Sequence, residues 1–125
     1  DGVELNDLFD VNKEVVSLNE IIDSNPKGVS WSKRVIDTEN NSMTIITQMP
    51  GEGNRRHYHP SWNEWWYIVE GEWEWEIDGR IKKVKKGDIV FMEKKRIHKI
   101  TATGSKRAIR MAVSRADVEH IYEES

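Results

Sequence analysis

Gly51-Glu52-Gly53-Asn54-Arg55-Arg56-His57-Tyr58-His59-Pro60-Ser61-Trp62-Asn63-Glu64-Trp65-Trp66-Tyr67-Ile68-Val69-Glu70-Gly71 is the most informative run in the chain. His57 and His59 are two apart, so on a strand both side chains point to the same face. On a helix they would sit about 200° apart and could not share an ion. Pro60-Ser61, completed by Trp62 and Asn63, reads as a turn. The strand that follows, Glu64 to Glu70, can bring Glu64 back beside the two imidazoles. A second run, Gly87-Asp88, an apolar stretch and then His98, supplies a further imidazole from a distance. Three neutral imidazole nitrogens and a carboxylate oxygen suit iron, manganese, nickel, copper or zinc better than calcium or magnesium, which take all-oxygen shells. Four such ligands on an octahedral ion leave two positions for dioxygen or a chelating substrate.

Working outward, short strands dominate. Trp31 to Ile36 and Met43 to Met49 read as strands joined by the polar turn Asp37 to Ser42. Others follow at Arg56 to His59, Glu64 to Glu70, Glu72 to Asp78, Ile81 to Val84, Asp88 to Glu93, His98 to Thr103 and Ala108 to Ser114. Asp78-Gly79 is a two-residue hairpin signal. Ser17-Leu18-Asn19-Glu20 has the form of a capping box and opens a short helix ended by Asn25-Pro26 and Gly28. Ser114 and Asp117 are candidate caps for a terminal helix, Ala116 to Tyr122. Many short strands at regular spacing predict an all-β sandwich or barrel.

The Gly51–Gly71 run resembles the first motif of the cupin superfamily, G-x5-H-x-H-x(3,4)-E-x6-G, at every fixed position. The second cupin motif, G-x5-P-x-G-x2-H-x3-N, is matched at Gly87 and His98. Glu93, Lys95 and Ala102 stand where that pattern has Pro, Gly and Asn. The resemblance covers about Met43 to Val113. It implies a double-stranded β-helix (jelly-roll barrel), which hides strand edges by closure. It also implies one divalent transition metal per chain on His57, His59, Glu64 and His98, with iron or manganese favoured. The expected organisation is one domain, 1–125, with the barrel at about 43–113 and an N-terminal arm at 1–30.

Composition narrows the partners. The net charge is -3 with charged residues at 33%, of both signs and interspersed. No field suited to nucleic acid or a membrane surface follows. There is no cysteine, hence neither disulfide nor thiol chemistry. No apolar run is long enough to span a bilayer and no signal-peptide pattern opens the chain, so the expected compartment is the cytoplasm.

The tryptophans divide into two sets. Trp73, Trp75 and Ile77 alternate with Glu72, Glu74, Glu76 and Asp78, as on a half-buried strand whose tryptophans are core. Glu64 to Val69 is apolar on both faces. If Glu64 faces the metal, so do Trp66 and Ile68, while Trp65, Tyr67 and Val69 form an outer face that needs a cover. The N-terminal segment or a second subunit could provide it, and the resemblance implies a homodimer. Trp62 and Trp66 are candidate pocket-lining aromatics.

Charge is the clue to the ligand. Arg55 shares the parity of the ligating histidines, and Arg56 lies beside it. Lys94, Lys95 and Arg96 occupy the turn before His98. Together they suggest a cationic rim for a small carboxylate or phosphate, with Arg55, Arg56 and Arg96 as first candidates. Arg110 is a further possible anion partner of unfixed facing. His120, in a polar tail, reads as a surface residue. Three functions fit: a metal-dependent oxygenase, a non-redox isomerase or lyase, and a small-molecule-binding module. Tyr58 and Tyr67 lack the ligands' parity, so the second has no obvious base, which favours the oxygenase.

Overall fold

The computed structural model describes residues 11–115 and 121–122. Among the described residues one helix, α1 (Leu18–Asp23), precedes ten strands: β1 (Trp31–Asp37), β2 (Ser42–Gln48), β3 (His57–Tyr58), β4 (Glu64–Glu70), β5 (Glu72–Ile77), β6 (Arg80–Lys85), β7 (Ile89–Met92), β8 (His98–Thr103), β9 (Ala108–Ser114) and β10 (Ile121–Tyr122). They form two five-stranded antiparallel sheets, ordered β1-β2-β9-β4-β7 and β10-β3-β8-β5-β6. The all-β expectation holds. Among the described residues no helix is long and apolar enough to cross a membrane.

Local chemistry accounts for the elements. Ser17 caps α1, its Oγ accepting the Glu20 N–H at 3.2 Å, as the capping box requires. Asp78 and Gly79 both have positive φ, 49° and 83°. That is the signature of the two-residue turn whose twist matches its flanking strands. Gly53 is needed for close approach, since a Cβ there would lie 1.9 Å from the Ile100 carbonyl oxygen. This packs the loop before His57 directly onto β8. Lys95 holds φ 73° where the cupin pattern has glycine. The chain thus keeps the left-handed turn without the residue that adopts it most readily. The Lys95 N–H donates to the His59 carbonyl at 2.7 Å, so the turn braces a candidate ligand.

Between the sheets lie Trp66, Ile68, Trp73, Trp75, Val90, Met92, Ile100, Ala102 and Ala108. The Trp66 and Trp75 rings meet edge to face, centroids 5.3 Å apart. A second cluster, Ile22, Val35, Ile45 and Ile109, packs with Leu18, Ile21 and Val69 where α1 meets the first sheet. Helix and sheet each bury an apolar face there. Val69 is therefore covered by the N-terminal segment. Trp65 (42% exposed) and Tyr67 (37%) are not.

The predicted terminal helix is corrected in part. Ile121 and Tyr122 are extended and pair with Tyr58 and His57. Ala116 to His120 lie outside the described residues, and with them the reading of His120.

Candidate metal centre

The candidate ligands converge from both sheets. His57 on β3 pairs directly with His98, the first residue of β8. His59 follows β3, and Glu64 opens β4 in the opposite sheet. His57, His59 and His98 are all buried, while Tyr58 between them is only half-buried, as the two-residue repeat requires. One nitrogen from each of the three rings lies within 4.8 Å of the other two. Nitrogens each about 2.1 Å from a shared ion would be roughly 3–4 Å apart, so modest side-chain adjustment closes the set. Glu64 adjoins it through a 2.8 Å approach of Oε1 to His59 Nε2. Among the described residues that buried oxygen has no hydrogen-bond partner. Two electron-rich atoms this close are what neighbouring ligands of one cation look like.

Main-chain carbonyls fix two of the rings. His57 Nδ1 lies 2.7 Å from the Arg55 carbonyl oxygen, and His98 Nδ1 3.1 Å from that of Arg96. A carbonyl only accepts, so Nδ1 carries the proton and Nε2 keeps its lone pair for a metal. The donor set therefore fits a divalent transition metal on physical grounds.

A cavity of about 340 Å³ opens beside this cluster. Its walls include Arg55, His57, Glu64, Trp66, Arg110 and Tyr122. A larger surface cleft, about 660 Å³, runs beside α1 and β1 and is lined by none of the histidines. Of the sequence candidates, Arg55 and Trp66 line the cavity. Trp62, Arg56 and Arg96 do not. Trp62 is 37% exposed, beneath the Arg115 guanidinium. Arg56 Nη2 donates to both Glu76 oxygens at 2.9 Å, and Arg96 Nε to Asp78 at 2.7 Å. Lys94 and Lys95 are exposed on the turn.

Two cavity residues, Tyr122 and Asn54, and Gln48 behind Arg110 have no signal in local sequence. Tyr122 arrives by the β10–β3 pairing. Its ring lies 5.8 Å from that of His57 and carries the Arg55 guanidinium 4.1 Å over its face. Tyr122 is thus a tyrosine beside the ligands that the reading of Tyr58 and Tyr67 did not include. Asn54 is tied to β8, its Oδ1 accepting the Ile100 N–H at 2.7 Å and its own N–H donating to the Ile100 carbonyl at 3.0 Å. Gln48, at the end of β2, accepts from Arg110. Arg110 itself, whose facing the sequence left open, points between the sheets and is 4% exposed. Burial pushes its guanidinium down to about 10, against the raising influence of the Glu64 carboxylate, so it is still a cation at neutral pH.

The cupin domain family matches residues 44–114, more than half of the chain. The chain is a cupin. Its solved relatives share the fold at low identity. A conserved double-stranded β-helix protein from Klebsiella pneumoniae is 22% identical, with a TM-score of 0.76 over 90% of this cupin and 93% of that chain. The polyketide cyclase RemF from Streptomyces resistomycificus is 16% identical, TM-score 0.69, over 78% and 73%. A sugar phosphate isomerase of the cupin superfamily from Silicibacter pomeroyi is 14% identical, TM-score 0.67, over 83% and 80%. No curated protein sequence matches this cupin.

Proposed function

We propose that this cupin is a metal-dependent oxygenase of a small organic anion, with one divalent transition metal, iron or manganese, held by His57, His59, Glu64 and His98. The observation that carries the reading is the three-imidazole cluster, two rings tautomerically fixed, beside a cavity of about 340 Å³. The metal, when bound, supplies a redox-active Lewis acid with positions for dioxygen and a chelating substrate. Trp66, Ile100 and Ala112 exclude water from the cavity wall, and Arg55 and Arg110 supply its positive charge. The test is oxygen consumption by Fe(II)-loaded protein over a panel of small organic acids. Uptake coupled to loss of one acid is the expected result. An acid that binds without any uptake refutes the oxygenase.

A second reading, a non-redox isomerase or lyase, is favoured by one observation, the Tyr122 phenol beside His57 in the cavity. A phenol there is placed to hold or move a proton. Turnover by Mn(II)- or Zn(II)-loaded protein without oxygen, abolished in Tyr122→Phe, would establish it over the oxygenase.

We also propose that the chain is a homodimer. The outer face of β4 and β7 carries Trp65, Tyr67, Ile89 and Phe91, all exposed, and the latter two are 71% and 62% exposed. α1 covers the other half of the same sheet. A continuous aromatic patch of this kind fits a partner, and an identical sheet is complementary to it by two-fold symmetry. Light scattering should give twice the chain mass, falling to one chain in Phe91→Glu. A wild-type monomer contradicts the proposal.

A further inference from the structure

The cavity contains a charge that its surroundings do not balance. Arg110 lies on β9 between Ile46 of β2 and Ile68 of β4, so it sits within the sheet and not at its edge. Its Nη1 donates to Gln48 Oε1 at 2.5 Å, and its guanidinium lies 4.6 Å over the Trp73 ring. Its Nε is buried and makes no hydrogen bond among the described residues, and none of their carboxylates forms an ion pair with it.

A buried guanidinium usually keeps a carboxylate partner, because desolvation of an unpaired charge costs several kcal/mol. The face of Trp73 and one neutral amide return only about 1–3 kcal/mol between them. The Glu64 carboxylate acts on Arg110 at longer range, yet it is a proposed metal ligand. Metal binding engages that negative charge and adds positive charge to the same cavity. The need for an anion near Arg110 therefore grows when the metal is present.

We infer that Arg110, held in place by Gln48, forms the carboxylate subsite of the cavity, and that the substrate is a small organic acid whose carboxylate lies on the Arg110 guanidinium while its other end is turned toward the three histidines. This deepens the metal-centre reading above and rests on it. The charge count favours a carboxylate over a phosphate. Gln48 occupies Nη1, which leaves the Nε side of the guanidinium as a two-donor edge that matches two carboxylate oxygens. Arg55 stacks on Tyr122 beside His57, so Arg110 is the one cation offered to one negative charge at its own end of the cavity. Ile46, Trp66, Ile100 and Ala112 supply apolar wall between the two polar ends, so the body of the acid is apolar. The volume is near the small end for ligand sites.

The test uses Zn(II)-loaded protein and calorimetric titration with benzoate, succinate, their neutral amides and inorganic phosphate. Metal content is measured in every sample. At least one acid should bind about tenfold or more tightly than its amide, the discrimination expected of a charge-assisted pair. Arg110→Met should abolish that preference with metal content unchanged. Gln48→Glu is the companion variant in case removal of Arg110 disturbs folding. It places an internal carboxylate on the guanidinium and should abolish the preference while keeping the arginine. Arg110→Lys should retain part of it, since an ammonium cannot make two parallel bonds. If neither acid is preferred over its amide, or the preference survives Arg110→Met and Gln48→Glu, the subsite is wrong. Phosphate bound more tightly than both acids would also overturn it. Loss of metal from the wild type with the Arg110-dependent preference intact would instead refute the metal centre and leave the carboxylate subsite standing.

Discussion

The two ends of the space between the sheets are built on opposite principles. One end is filled. Trp73, Trp75, Ile68 and Ala108 are fully buried, with ring edges against ring faces. The other end is polar and partly hollow. Three buried histidines, Glu64 and the cavity occupy it. The same strands serve both ends. β4 carries Glu64, Trp66 and Ile68 inward in succession, and β8 carries His98, Ile100 and Ala102. Arg110 lies on the boundary, with its guanidinium over Trp73 of the filled end and its charge facing the cavity. The difference teaches that stability and chemistry are separated along the strands. The filled end holds the sheets in register, so the open end can keep donors that a cation and a ligand would satisfy.

The largest expected effect sharpens this contrast. Trp75→Ala should cost about 3–5 kcal/mol of stability by denaturant unfolding, the range for deleting a buried aromatic. His98→Ala, measured without metal, should cost less, because its ring neighbours include the polar His57 and His59. Equal losses would mean that the open end is packed as tightly as the filled one.

The smallest expected effect concerns the rim. Lys95 occupies a left-handed position that the family pattern gives to glycine. Lys95→Gly should raise stability by about 0.5–1 kcal/mol, since relief of the Cβ penalty outweighs the extra freedom of glycine when unfolded. Metal affinity should not fall, because the main-chain bond to His59 remains available. A destabilised variant would show that the Lys95 side chain makes a contact of its own.

How much was legible in the sequence follows from the range of each interaction. The bounds of β4, β8 and β9 and the cap at Ser17 match their residues because alternation and capping are local. The histidine set was legible because strand parity plus motif spacing fixes facing. Arg110 was not. β9 is apolar on its outer side too, at Ile109, Met111 and Val113, so alternation could not orient it. Arg56 and Arg96 looked like rim cations, but their partners Glu76 and Asp78 come from the far end of β5 and the turn after it. Tyr122 enters through a two-residue strand at the end of a polar tail, and only the pairing with His57 reveals it. Side-chain burial by tertiary pairing is what sequence periodicity does not carry.

The most direct test of the central claim is metal content by elemental analysis of wild type, His57→Ala and His98→Ala, each purified after the same divalent-metal loading and shown to be folded. Main-chain carbonyls orient these two rings in the open end, and a structural role alone would not require their nitrogens for metal. One equivalent per chain in the wild type, with most of it lost in both variants, is the predicted result. Full occupancy in either folded variant would contradict the three-histidine centre.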